Sequence, residues 1–193
     1  MTDIVLDACC LINLLASAKI LPAHSSKKAK ANRIGFPATL HVPAIVANEA
    51  LYILQPDVDD PTTLVKTTID LSGPRQLGLL HDCDIEGAEE SRLFVQLAVR
   101  LDDGEAACLA IAKNRSWILA TDDRVAANLA SELKVEVVNT AEMVKMWATQ
   151  SSANRKAISE IINNIQTYAK FVPRKQSPEF DWWADHARVS SSA

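Results

Sequence analysis

The fold class predicted by the sequence is α/β, a three-layer sandwich of helices around a mostly parallel central sheet. Three observations carry that prediction. Ile4-Val5-Leu6 and Trp117-Ile118-Leu119-Ala120 are continuous apolar runs, and Val135 to Val138 is a third strand candidate. Strands buried on both faces read as unbroken hydrophobic runs, and the crossover helices of a parallel sheet are what covers them. Each run is followed within a few residues by a helical pattern, as strand–helix alternation requires. The first two runs also end on acids, at Asp7 and at Thr121-Asp122-Asp123. In such sheets the working residues lie beyond the carboxyl ends of the strands.

Taken in order, Ile4-Val5-Leu6 feeds a helix marked by Leu11, Ile12, Leu14 and Leu15. From Leu21 to Thr39 two prolines, Ser25-Ser26 and the basic cluster Lys27, Lys28, Lys30 and Arg33 break the pattern, predicting a loop or a loose hairpin. Leu40-His41-Val42 is a brief strand, and Pro43 suits the start of a helix running to Leu54. Asp57, Asp59, Asp60 and Pro61 form an acidic turn, followed by a polar helix or linker from Thr62 to Asp70 and a short strand from Gln76 to Leu80. Helices are expected from Ile85 to Arg100, from Asp102-Asp103-Gly104-Glu105 to Lys113, from Thr140 as cap to Thr149, and from Asn154 to Tyr168. Residues 1–150 are expected to form the main domain, and 151–193 a C-terminal helix and polar tail that holds Trp182-Trp183.

The chain has 193 residues, enough for one domain with a sizeable core, and its 48% hydrophobic and 23% charged residues are ordinary for a globular protein. A net charge of -4 excludes a protein that coats nucleic acid through bulk positive charge, while leaving room for a local basic patch. The N-terminus holds Asp3 and Asp7 without a basic stretch, unlike a signal peptide, and no apolar run reaches the roughly 20 residues that span a bilayer. A cytoplasmic protein without membrane contact is expected. Cys9, Cys10, Cys83 and Cys108 form no CxxC pair, and His24, His41, His81 and His186 are scattered, so reduced thiols are expected and a zinc site is not.

Four acids attract interest. Asp7 and either Asp122 or Asp123 follow buried strands; the plain alternative for each is a helix N-cap, worth about 1 kcal/mol. On the predicted helix to Leu54, Glu49 shares a face with Ile45, Val46, Tyr52 and Ile53, where an unpartnered charge would cost several kcal/mol. Glu105 shares a face with Cys108, Leu109 and Ala112, its plain alternative being a favourable place on the helix dipole. Few basic residues lie near any of the four in sequence. Clustered carboxylates call for Mg²⁺ or Mn²⁺, hard ions that take oxygen ligands and activate water.

The segments Ile4-Val5-Leu6-Asp7, Val42-Pro43-Ala44-Ile45-Val46-Ala47-Asn48-Glu49, Asp103-Gly104-Glu105-Ala106-Ala107 and Ile118-Leu119-Ala120-Thr121-Asp122-Asp123 resemble, in that order, the motifs of the PIN-domain nucleases. That family includes VapC-type toxins and RNA-processing factors, and the resemblance spans residues 3 to 140. It implies an Mg²⁺- or Mn²⁺-dependent endoribonuclease with Asp7, Glu49, Glu105 and Asp122 as the catalytic, metal-binding quartet, Asp123 competing for the fourth place. It also implies RNA as substrate, and an antitoxin or other protein as partner if the chain is a toxin; a homodimer is expected. Where the family often has Thr, Ser or Asn after the first Asp, this chain has Ala8, Cys9 and Cys10, with Asn13 a candidate substitute. The Lys27–Arg33 cluster is a candidate RNA contact or a solvated loop, and Trp182-Trp183 a docking element or part of the protein's own core. Two rivals differ in class: an inactive PIN-like binding module, and a haloacid-dehalogenase-type phosphatase, for which Asp7-Ala8-Cys9 lacks the second Asp.

Overall fold

The computed structural model describes residues 2–22, 36–49 and 51–187. Its central sheet has five strands, all parallel: β1 (Thr2–Leu6), β2 (Ala38–Pro43), β5 (His81–Cys83), β6 (Ile118–Ala120) and β7 (Val137–Val138). Across the sheet they run β5-β2-β1-β6-β7. β1 is the middle strand, and Ile4, Val5 and Leu6 are fully buried, as the unbroken apolar run requires.

Helices supply the crossovers. α1 (Ala8–Ala16) follows β1, and α2 (Ala44–Ala47) is one turn after β2. α3 (Ser72–Gln76) leads into β5, while α4 (Gly87–Leu97) and α5 (Asp103–Arg115) connect β5 to β6. α6 (Arg124–Glu132) joins β6 to β7, and α7 (Thr140–Gln150) and α8 (Arg155–Asn164) follow. α5 is buried on nearly every side, with Ala106 through Ala112 fully inaccessible. Its small side chains let it pack on α4 and lie directly over β1, β2 and β6.

Four sequence expectations are corrected. The helix from Pro43 ends at Ala47, because Tyr52–Pro56 (β3) pairs antiparallel with Leu64–Thr68 (β4) as a separate hairpin. The Thr62–Asp70 stretch is therefore largely strand, and Val65, Thr67 and Thr68 in it are β-branched. The acidic residues between the strands build the hairpin loop: Asp57 accepts from the Asp59 amide at 2.8 Å, and Asp60 from the Thr62 amide at 3.0 Å. Gln76 to Leu80 is the end of α3 and a turn through Gly78 at φ 64°, and the strand begins only at His81. Asn139, not Thr140, caps α7, in a reciprocal capping box with Glu142. The four cysteines are free thiols, Cys10 and Cys108 buried.

Beyond α8 the chain makes a π-helical turn, Ile165–Ala169, against α1 and β3, then returns as α9 (Phe180–Ala187) against α8. Trp183 folds into the protein's own core, 1% exposed and edge-on to Phe171 at 5.6 Å. Its indole N–H has no acceptor among the described residues. None of the described helices is long and apolar enough to cross a membrane.

The buried tryptophan gives a stability test. Trp183→Ala should cost roughly 3–5 kcal/mol in denaturant unfolding. Trp183→Phe should cost clearly less, since it also removes the orphaned donor. Equal losses in the two variants would show that ring volume is not what holds the C-terminal helix.

Candidate active site

The chain leaves β1 for β2 on one side and later returns to pair β6 on the other, so the strand order reverses beside β1. The amide of Asp7 donates to Ala120 O at 3.0 Å, tying the two strand ends together. Because α5 precedes β6 and runs back along the sheet, its first turn also lies at the carboxyl end, as does the turn after α2. Four chain segments with acids thus reach one edge.

Asp7 is 4% exposed. Its Oδ1 accepts from the Ala8 amide at 2.6 Å, and its Oδ2 from Cys9 Sγ at 3.1 Å and Thr121 Oγ1 at 2.9 Å. Burial nevertheless pushes its carboxyl above the usual range against these bonds, and the charge of Asp102 adds to the push. Cys9 thus donates to the Asp7 carboxylate from the first turn of α1.

Glu49 reaches the same place by a route that the helical spacing did not foresee. It is exposed, two residues past the end of α2, rather than on the apolar face of a long helix. Its Oε1 lies so close to Gly104 that a Cβ there would collide with it, while Val46 and Asp102 close the other sides. Glycine at 104 is what lets the Glu49 carboxylate rest on the first turn of α5. Partial burial raises the Glu49 carboxyl, and Asp102 and Asp7 raise it further.

Glu105 shows the pressure most clearly. Its amide donates to Asp102 Oδ1 at 2.8 Å, making Asp102 the N-cap of α5. Partial burial, then the charges of Asp102, Asp7 and Asp123, push its carboxyl up to about 7. Among the described residues no lysine or arginine figures among the charges acting on Asp7, Glu49 or Glu105.

The adjacent acids part ways. Asp122 turns inward, accepting from Thr140 Oγ1 at 2.5 Å, the Thr140 amide at 3.0 Å and Asn13 Nδ2 at 3.0 Å, with Cys10 Sγ at 3.6 Å. Burial still raises its carboxyl. Asp123 caps α6 through Oδ1, at 2.6 Å from the Val125 amide and 2.9 Å from that of Ala126, and bears electrostatically on Glu105. Cys9, Cys10 and Asp122 also bring ligand atoms within 4.8 Å of one another. Burial pushes the Cys10 thiol well above its usual range, however, so it stays a hydrogen-bond donor and a poor soft ligand. Asn13 serves Asp122 rather than Asp7. Lys27, Lys28, Lys30 and Arg33 lie outside the described residues.

A family profile described as a PIN domain matches residues 73–177, more than half of the chain. The chain belongs to the PIN-domain family. The matched span holds Asp102, Glu105, Asp122 and Asp123, while Asp7 and Glu49 precede it. A PIN domain is a nuclease-type fold, and PIN nucleases generally use a divalent metal. Searches of curated proteins and of solved structures found no match to this chain.

Sequence reasoning missed Asp102 as a member of the cluster, although its place three residues before Glu105 is an N-cap signal. It also missed two donors to Asp7, the local Cys9 two residues on and Thr121, which the β1–β6 pairing brings to it.

The raised carboxyls have a measurable sign. Between 4.5, the ordinary value, and about 7, native Glu105 keeps a proton that the unfolded chain has lost. Without metal, stability should therefore fall as pH rises through that window and then level off. Solvent screening of this half-exposed group holds the effect to about 1 kcal/mol, roughly 2–4 °C in melting midpoint for a chain this size. In chelator at pH 8, Glu105→Gln should melt at or above wild type. A midpoint that rises with pH, or a Glu105→Gln variant that melts lower, would mean that the acids do not repel one another.

Proposed function

We propose that this PIN-domain protein is a metal-dependent endoribonuclease. The observation that carries the reading is a group of carboxylates at one sheet edge, all raised or raising one another, with no lysine or arginine among the described residues acting on them. Asp7, Glu49, Glu105 and Asp123 offer hard oxygens, which fits Mg²⁺ or Mn²⁺, although the group of three ligand atoms within 4.8 Å among the described residues is Cys9, Cys10 and Asp122. Asp7, Glu49, Glu105 and Asp123 would hold the cation, with Asp102 beside them. Asp122, committed to Thr140 and Asn13, would instead fix the β6 end against α1 and α7.

A divalent cation bound there would lower the pKa of water and offset charge gathering on a phosphate. The protein's own groups do the rest. Glu105, where it is not taken up by the cation, would take a proton from the attacking water as its oxygen bonds to phosphorus and the bond to the leaving sugar oxygen breaks. Cys9 and Thr121 keep the Asp7 carboxylate in one orientation. A cytoplasmic role as the toxin of a toxin–antitoxin pair, in homodimeric form, belongs to the same proposal.

Purified protein with Mn²⁺ should cleave single-stranded RNA, and chelator should stop it. Asp7→Asn should lose at least about a hundredfold in rate, and Asp123→Asn should lose far more than Asn13→Ala. Expression of wild type, but not of Asp7→Asn, should arrest growth if the toxin role holds. Wild type that cleaves no faster than Asp7→Asn would turn the reading towards an inactive binding module.

A further inference from the structure

A groove of about 640 Å³ leads away from the acidic edge. One wall is Asp123, Arg124 and Asn139, at the starts of α6 and α7; the other is Phe171, Arg174 and Gln176, from the segment between the π-helical turn and α9. The groove is thus a joint product of the sheet edge and the C-terminal segment.

Its two arginines differ from the other arginines among the described residues. Arg75, Arg92, Arg100, Arg115 and Arg155 each pair with a carboxylate, at 2.5 to 3.8 Å. Arg124 and Arg174 are exposed and have no carboxylate partner among the described residues, and both line this one groove. The acids nearby are already engaged: Asp122 with Thr140, Asp123 with the first turn of α6, and Glu142 with the Asn139 amide at 2.8 Å. In a chain with net charge -4, two unpaired guanidinium groups beside an acidic centre are what a polyanion needs to approach it. The guanidinium fork also matches phosphate oxygens. Phe171 and the exposed Val172 give the same groove an apolar wall against which a base could pack.

We propose that this groove is a substrate subsite that takes the nucleotide next to the scissile phosphodiester of single-stranded RNA, with Arg124 and Arg174 on its phosphates. The inference rests on the ribonuclease reading. It makes residues 171–177 part of the substrate site, and Arg124 and Arg174 binding residues with no part in the chemical step.

The test is steady-state cleavage of a short labelled single-stranded RNA with Mn²⁺ over a series of salt concentrations. Arg124→Ser/Arg174→Ser should raise KM at least about tenfold while kcat stays within about threefold, and each single variant should give part of the rise. The dependence of log KM on log salt should flatten by about 1.4, since each lost single-strand phosphate contact removes about 0.7. The gain in melting midpoint from Mn²⁺ should match wild type, which separates the groove from the metal site. Lys134→Asn/Lys156→Ser, which removes equal charge elsewhere, should leave KM near wild type. An unchanged KM in the arginine pair, or an equal rise in the lysine pair, would overturn the subsite while leaving the ribonuclease reading in place. Wild type that cleaves no RNA would overturn both.

Discussion

Mutual repulsion among carboxylates, with no lysine or arginine among the described residues acting on Asp7, Glu49 or Glu105 to relieve it, is the constraint around which the carboxyl edge of this sheet is arranged. Asp7, Glu49, Asp102, Glu105 and Asp123 come from four chain segments, and partial burial followed by the charges of Asp102, Asp7 and Asp123 pushes the Glu105 carboxyl up to about 7. The chain lessens that cost only in part. Cys9 and Thr121 donate to Asp7, and the first turns of α5 and α6 offer amides to Asp102 and Asp123. Each device steadies one acid, and none brings in a positive charge. A like-charged group kept in this state is costly to an apo protein and favourable to one that binds a cation, because ligand binding to the native state adds stability by mass action.

How far this was legible in the sequence depends on the range of the interaction involved. Ile4-Val5-Leu6 and Ile118-Leu119-Ala120 announce themselves because burial on both faces demands unbroken apolar runs, and the acids that end them follow directly. Glu49 is instructive in another way. It lies at the site, but the helical face assigned to it does not exist: α2 stops at Ala47, and the apolar Tyr52 and Ile53 belong to a hairpin strand. A short apolar run cannot by itself be told from a helix segment, and here the partner strand, Leu64–Thr68, decided. What fixes Glu49 is the missing side chain of Gly104, a contact across more than fifty residues that no local pattern carries.

The C-terminal region was read as a tail because its composition is polar, and composition averages over the few residues that matter. Trp183 is buried against Phe171, the π-helical turn packs on α1 and β3, and α9 lies on α8. The Trp183–Phe171 contact, the π-helical turn and the buried Ile158, Ile161, Ile162 and Ile165 anchor this segment to the core. The family match continues to Ser177, through the whole of the segment that walls the groove.

Asp122 and Asp123 show why neighbouring acids need not share a duty. At the end of a strand, successive side chains leave on opposite sides of the backbone, so two adjacent carboxylates cannot both face the same crevice without a bend. Asp122 takes the inner side, where Thr140, eighteen residues on, and Asn13 meet it with fixed donors. Asp123 takes the outer side, where one oxygen caps α6 and the other accepts no hydrogen bond among the described residues. At Asp122 Oδ2, held by three donors, a cation would have to compete with bonds the fold has made, while its Oδ1, like that of Asp7, accepts one. An oxygen left open beside Glu105 has no such competitor. The inner acid therefore sets the position of the strand end, and the outer one has the open oxygen that a metal site needs.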